Sequence, residues 1–186
     1  MPNILAIAGS PSHPSRTYGL LEYATQLIQS QGFHSDIISV RDFPAEDLVF
    51  GRYDSPALDS VKALLEKADG VIISTPIYKA AYTGVLKAFL DLLPQKALQG
   101  KVVLPIATGG TIAHLLAIDY ALKPVLSELG AWHLLGGVYA VDKQIQRNEN
   151  GSIQLDEEID QRLKHSLRDF VEAINQAVSK ELAHAS

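Results

Sequence analysis

The sequence contains no cysteine, one methionine and one tryptophan in 186 residues. Disulfides, cysteine-ligated zinc and a thiol nucleophile are therefore excluded, and the absence fits a reducing compartment. No apolar run approaches the roughly 20 residues that a membrane-spanning helix needs. No basic stretch precedes the apolar run Ile4-Leu5-Ala6-Ile7-Ala8, so no secretory signal is expected. Charged residues make up 20% and the formal net charge is −5, a balance that disfavours a nucleic-acid or anionic-membrane surface. The six histidines and scattered carboxylates show no metal-ligand spacing such as H-E-x-x-H. No serine sits in a G-x-S-x-G elbow, and neither G-x-G-x-x-G nor a glycine followed by Lys-Ser or Lys-Thr occurs. Metallohydrolase, serine-hydrolase, dinucleotide-fold and P-loop readings all lose their motif. There is no internal repeat and no low-complexity segment. With 47% apolar residues, the chain suits one well-buried core, and a single cytoplasmic domain over 1–186 is expected.

What is present alternates. Apolar runs at residues 4–8, 36–40, 71–75 and 102–107 read as strands, and 132–135 with 138–141 form a last strand region. Between and after them, residues 17–31, 57–68, 82–93, 112–129 and 155–183 carry helical periodicity. The strands are continuous apolar runs, so both sheet faces are covered, which predicts a parallel sheet with right-handed crossovers. Residues 41–56 show no sustained period but contain Phe43, Leu48, Val49, Phe50 and Tyr53, which suggests packing against something, including a second subunit. Residues 142–152 form a polar excursion. Trp132 reads as core.

Ligands of such sheets sit beyond the carboxyl ends of the strands, where strand order reverses. Three loops at those ends are unusual. The first, Ala-Gly-Ser-Pro-Ser-His-Pro-Ser-Arg-Thr at 8–17, follows a buried strand and opens a helix. Gly9 permits a sharp turn, Ser10, Ser12, Ser15 and Thr17 supply hydroxyls, and Arg16 supplies a charged fork of donors. The first N–H groups of a helix add unpaired donors and partial positive charge, so the loop suits a phosphate. The plainer reading is an ordinary connection in which Ser15 caps the helix. The second loop, Pro76-Ile77-Tyr78-Lys79 onward, is apolar and aromatic at its tip. Lys79 is read most simply as a solvated cation. The third, Thr108-Gly109-Gly110-Thr111, is small. A phosphate cradle, an apolar clamp and a glycine-rich approach together suit a flat ring with a phosphate tail, and flavin mononucleotide (FMN) fits better than a dinucleotide.

Four stretches carry a closer likeness: Gly9-Ser10-Pro11 with Ser15-Arg16; residues 75–82, Thr-Pro-Ile-Tyr-Lys-Ala-Ala-Tyr; residues 97–105, Ala-Leu-Gln-Gly-Lys-Val-Val-Leu-Pro; and Ala107-Thr108-Gly109-Gly110. Together they resemble the NADPH-dependent FMN reductases. The run Asp119-Tyr120-Ala121-Leu122-Lys123-Pro124 is similar to the reductase component of two-component alkanesulfonate monooxygenase systems. The resemblance spans residues 3–141. It implies an α/β, flavodoxin-like, doubly wound five-stranded parallel sheet in the order 2-1-3-4-5. It also implies a homo-oligomer, often a tetramer, and reduction of FMN by NAD(P)H for a partner monooxygenase in sulfonate sulfur assimilation. By the same resemblance Ser10, Ser15, Arg16 and Thr17 hold the FMN phosphate. Pro76, Ile77, Tyr78 and Lys79 flank the isoalloxazine, and Thr108, Gly109 and Gly110 approach its other edge. Members of the family often carry Arg at the third residue after the loop glycine. Ser12 stands there in this chain, which throws more of the phosphate binding onto Arg16.

The flavin carries the hydride chemistry in this reading, so no side-chain acid, base or nucleophile is assigned as catalytic. His114 either donates a structural hydrogen bond or faces the flavin edge. Rival readings are an FMN-bound quinone, azo or metal-ion reductase on the same fold, and a flavodoxin-type electron carrier. Residues 112–129 are apolar around much of the helix circumference, so a second face is expected against another subunit. Pro124 has no N–H for the carbonyl of Tyr120 and its ring crowds it. A one-residue π-bulge at Tyr120, placing it at the subunit interface near the flavin, is the favoured form. The alternative is a proline kink with Tyr120 in the core.

Overall fold

The computed structural model describes residues 2–149 and 151–184, with the side chains of 181–184 outside that description. The central sheet runs β1 (Asn3–Ala8), β2 (His34–Ser39), β3 (Gly70–Pro76) and β4 (Val102–Gly109), then a last strand in two pieces, β5 (His133–Leu134) and β6 (Val138–Val141). Every pairing in it is parallel, and the order is β2-β1-β3-β4, with β5 and β6 both on the free edge of β4. The expected five-strand order 2-1-3-4-5 is therefore present, with its fifth position divided.

The division faces Pro105, which lies inside β4 opposite Ile73 of β3. A proline cannot donate to a ladder, so a central strand rarely holds one. Here the neighbouring strand is broken at residues 135–137, between the Val103–Leu134 and Ile106–Val138 pairs. Gly137, at φ +92°, tucks onto Pro105 so closely that a Cβ would lie 2.9 Å from the Pro105 carbonyl oxygen.

Alternate strand residues feed two cores. Leu5, Ile7, Val71, Ile73 and Val103 face one way, against α3 (Asp59–Lys67), α4 (Gly84–Leu90) and α5 (Lys123–Glu128). Ile4, Ala6, Ile72, Leu104 and Ile106 face the other, against α1 (Arg16–Gln29) and α6 (Glu157–His184). Helices on both faces explain why the strands read as unbroken apolar runs. On α6 the buried positions Ile159, Leu163, Leu167, Phe170 and Ile174 follow the helical period. The polar tail at 185–186 lies outside the described residues.

Two stretches without a clear period are ordered. Residues 41–56 contain α2 (Ala45–Phe50), closed by Gly51 in the left-handed conformation at φ +63°. Phe43 packs on Phe89 with ring centroids 5.0 Å apart, whereas Val49, Phe50 and Tyr53 remain exposed. The polar excursion begins an antiparallel hairpin of β7 (Ile145–Arg147) and β8 (Ile153–Leu155). This hairpin lies on α1: a Cβ on Gly19 would meet the Ile153 Cγ2 at 2.5 Å, which accounts for a glycine inside a helix.

The expected helix over 112–129 is broken into a 3₁₀ turn (Ile112–His114), a π-helical segment (Ile118–Leu122) and α5. Pro124 cannot supply the ordinary hydrogen bond to Tyr120, and the wider π turn absorbs the deficit. Tyr120 is 79% exposed in this chain, so the core alternative is corrected. Trp132 is also not core. It is 91% exposed, because the turn at Gly130 buries Ala131 and leaves its successor outside.

Candidate functional site

The three loops meet at the carboxyl ends of β1, β3 and β4, beside the point where strand order reverses between β1 and β3. Each is fixed by its own hydrogen bonds and tied to a neighbour.

In the first loop, the Gly9 N–H donates to the Ser74 carbonyl at 2.7 Å. A Cβ on Gly9 would sit 2.8 Å from both that oxygen and the Leu86 Cδ2, so the position demands glycine. Ser10 is buried; its Oγ accepts from the Ser12 N–H at 3.2 Å and from the Ser15 hydroxyl at 3.0 Å. Ser15 is the N-cap of α1 and accepts from the Tyr18 N–H at 3.2 Å. The capping and phosphate readings of Ser15 are thus compatible, since one hydroxyl oxygen accepts more than one bond. The N–H groups of Arg16 and Thr17 occupy the first turn, where helix geometry offers no internal partner. The peptide between His13 and Pro14 is cis.

Arg16 is exposed, and its Nε donates to the Ile145 carbonyl at 3.3 Å. The β7–β8 hairpin therefore steadies the guanidinium. Thr17 is buried, and its Oγ1 lies 2.5 Å from the Thr108 Oγ1. One hydroxyl of that pair donates to the other, leaving a single O–H free, and the bond joins the first loop to the third.

The second loop leaves β3 at Pro76. Ile77 is buried and donates its N–H to the Thr108 carbonyl at 2.7 Å. Tyr78 and Ala81 exchange two backbone bonds, of 2.8 and 3.2 Å, around a two-residue tip. At that tip Lys79 and Ala80 have φ of 51° and 66°, a pairing that glycine or asparagine ordinarily supplies. Strained positive-φ residues collect at ligand clamps. The tip carries the half-exposed Tyr78 back over the first loop, its hydroxyl 3.3 Å from that of Ser12. Thr83 then donates from its hydroxyl to the Gly9 carbonyl at 2.6 Å and caps α4 by accepting from the Leu86 N–H at 3.2 Å. Sequence reasoning missed Thr83, because it started the helix at Tyr82. The signal was a threonine directly before Gly84.

The third loop is pinned by Tyr139, whose hydroxyl donates to the Thr111 carbonyl at 2.7 Å. A Cβ on Gly109 would overlap that hydroxyl, so Gly109 is needed by Tyr139 packing. Gly110 is exposed, and a Cβ on it would meet only the Asp142 Oδ2, at 4.0 Å. Burial pushes the Tyr139 phenol up, with the nearby Asp142 carboxylate adding to it, so it stays a donor near neutral pH. His114 is half-buried at the end of the 3₁₀ turn.

Serine and threonine hydroxyls, first-turn N–H groups and a guanidinium on one side, with a strained tip bearing Tyr78 and an exposed glycine on the other, fit an aromatic ring bearing one phosphate. No group of histidines and acids among the described residues could hold a metal. No helix among them is long and apolar enough to cross a membrane.

Residues 2–146 match the sequence profile of the NADPH-dependent FMN reductases. The chain belongs to that family. It is an oxidoreductase whose cofactors are FMN and NADPH. An FMN reductase (NADPH) of Escherichia coli K12 is 55% identical over 142 residues, spanning 76% of this chain and 74% of that protein. One of Pseudomonas putida is 51% identical over 168 residues, spanning 90% and 85%. Among solved structures, an NADH:FMN oxidoreductase in its apo form superposes with a TM-score of 0.81 at 38% identity, covering 91% of this chain and 88% of the other. Relatives named for NADPH and for NADH thus share this reductase fold.

Proposed function

We propose that this FMN reductase cradles the flavin phosphate with Ser10, Ser15, Arg16 and Thr17. Pro76, Ile77, Tyr78 and Lys79 flank the isoalloxazine, and Thr108, Gly109 and Gly110 meet its far edge. The observation that carries the reading is the mutual tethering of the three loops at the switch point: Thr17 to Thr108, Ile77 to Thr108, Thr83 to Gly9 and Ser12 to Tyr78. Such tethering holds a shaped site before any ligand arrives, which lowers the ordering cost of binding. Held there, FMN would supply the hydride-accepting chemistry, with the nicotinamide as donor. The protein's own work is placement: the first loop fixes the phosphate end, and the apolar second loop keeps water from the ring.

The same proposal has the protein act in the cytoplasm as one reductase domain. It releases reduced FMN to a flavin-dependent monooxygenase of sulfonate sulfur assimilation, and it works as a homo-oligomer, a tetramer or dimer. Support for assembly comes from Ile112, Leu115, Leu116 and Tyr120, which form an exposed apolar face around the π turn.

Steady-state NADPH oxidation with and without added FMN tests the function. Saturation by FMN, with flavin lost on dialysis, is expected. A protein that keeps one FMN through dialysis and reduces quinones or azo compounds faster than free FMN belongs instead with the acceptor reductases.

A further inference from the structure

A cleft of about 310 Å³ lies between the first loop and the end of β2. It shares Ser10 and Ser12 with the first loop, and its other walls are His13, Tyr18, Ser39, Arg41 and Asp42. None of the hydrogen bonds that tie the three loops together uses Ser39, Arg41 or Asp42, and three observations mark the cleft as a site.

First, Ser39, the last residue of β2, is only 8% exposed. Its Oγ is the buried side-chain polar atom left without a hydrogen-bond partner among the described residues. Such an atom calls for a ligand or an ordered water. Second, the Arg41 guanidinium is exposed, and among the described residues no hydrogen bond or ion pair engages it, Asp42 included. Two opposite charges next to each other in sequence and unpaired are available to a ligand with both an anion and hydroxyls. Third, the cleft adjoins the loop end of the sheet: β2 pairs with β1, and the residues just past its end are Val40, Arg41 and Asp42. An arginine and an acid side by side are the side chains that accommodate a 2′-phosphate and a ribose hydroxyl where proteins read nucleotides. Burial, with the Glu22 and Asp42 carboxylates, raises the Tyr18 phenol, so the wall beside Asp42 presents a neutral ring and hydroxyl.

We propose that this cleft receives the 2′-phosphorylated ribose of NADPH, with Arg41 and Ser39 on the phosphate and Asp42 on a ribose hydroxyl, and so selects NADPH over NADH. The inference rests on the flavin phosphate being held by Ser10, Ser15, Arg16 and Thr17, as proposed above. The adenylate of bound FAD offers a second source of phosphoribosyl chemistry, and the test separates it.

Arg41→Ala and Ser39→Ala are compared with the parent. The first changes an exposed side chain and the second deletes an unpartnered hydroxyl, so both fold. Calorimetry on the flavin-free protein measures adenosine 2′,5′-bisphosphate against adenosine 5′-monophosphate. Kinetics measures KM for NADPH and NADH, and fluorescence quenching gives the FMN and FAD dissociation constants. The parent is expected to prefer the bisphosphate, and Arg41→Ala to lose that preference. Its KM for NADPH should rise about 10- to 100-fold, the range of a charge-assisted hydrogen bond, with KM for NADH unmoved. Ser39→Ala should show the same pattern, smaller. Equal changes for NADPH and NADH, or a loss confined to FAD, overturn the proposal. A loss of FMN affinity in Arg41→Ala without any nucleotide effect overturns it too, and also counts against the flavin phosphate being held by the residues named above.

Discussion

At the scale of single residues, Arg16 and Ala80 carry the sharpest expectations. Arg16 is the loop's charged donor, since Ser12 brings none, and its Nε donates to the hairpin carbonyl of Ile145. Arg16→Ala should weaken FMN binding on the order of 10- to 100-fold, the worth of a charge-assisted hydrogen bond, with little change in melting temperature. An unchanged dissociation constant in a flavin-quenching titration would remove Arg16 from the phosphate site. Ala80 sits at φ 66°, where a β-branched side chain fits worst. Ala80→Val should cost about 1–2 kcal/mol of stability and loosen flavin binding, whereas Ala80→Gly should leave both near the parent. Denaturant melts of the pair, read beside flavin titrations, decide it. The hydroxyls, Arg16 and the aromatic tip were all legible in the sequence because each is a residue type with one obvious chemistry. The strain at Lys79 and Ala80 was not, because both are ordinary residues whose backbone angles are imposed by the Tyr78–Ala81 bonds.

At the scale of elements, the helix around Pro124 and the segments flanking it show what periodicity does and does not reveal. Pro124 announces a break, a kink or a bulge; the π form seen at Ile118–Leu122 is favoured over a plain kink because bulges are frequent at functional sites and because the resemblance to the monooxygenase-linked reductases implies an inserted tyrosine at Tyr120. Its extension into a 3₁₀ turn at Ile112–His114 was not foreseeable, since Ile112, Leu115 and Leu116 keep a helical spacing while standing outside the core. The β7–β8 hairpin escaped notice for the opposite reason: its strands are three residues each, too short to display alternation. Its role emerges only in three dimensions, where Ile153 covers Gly19 and Ile145 holds Arg16. Deleting Tyr120 should restore a regular helix, change the assembly and slow flavin exchange. Sedimentation and flavin content after dialysis are the paired readouts; a variant unchanged in both would reduce Tyr120 to an incidental surface residue.

At the scale of the whole molecule, the two helices on the α1 face are joined by the Tyr23 hydroxyl, which donates to the Asp160 carboxylate at 2.8 Å beside Lys164. Burial alone would raise the Asp160 carboxyl, but the hydrogen bonds from Lys164 and Tyr23 outweigh it and hold the group below its ordinary value. A depressed carboxyl stabilises the fold above the ordinary carboxylate range and loses that contribution as pH falls through the depressed value. Tyr23→Phe should therefore cost about 0.5–1 kcal/mol near neutrality and progressively less in acid, visible as converging urea melts from pH 7 to pH 3. Parent and variant differing equally at both values would show that the bond is not to an ionised Asp160. The divided last strand has a consequence of its own for how the molecule breathes. Because the ladder on β4 is interrupted opposite Pro105, β6 is fastened by four residue pairs separate from the two that hold β5. The segment that pins the third loop through Tyr139 is thus a small opening unit, separable from the base of the sheet. Under native conditions its amides should exchange with deuterium by local opening, at a lower free energy than those of β1 and β3, and the rim of the candidate site would then gape and reseal while the core beneath it stays shut.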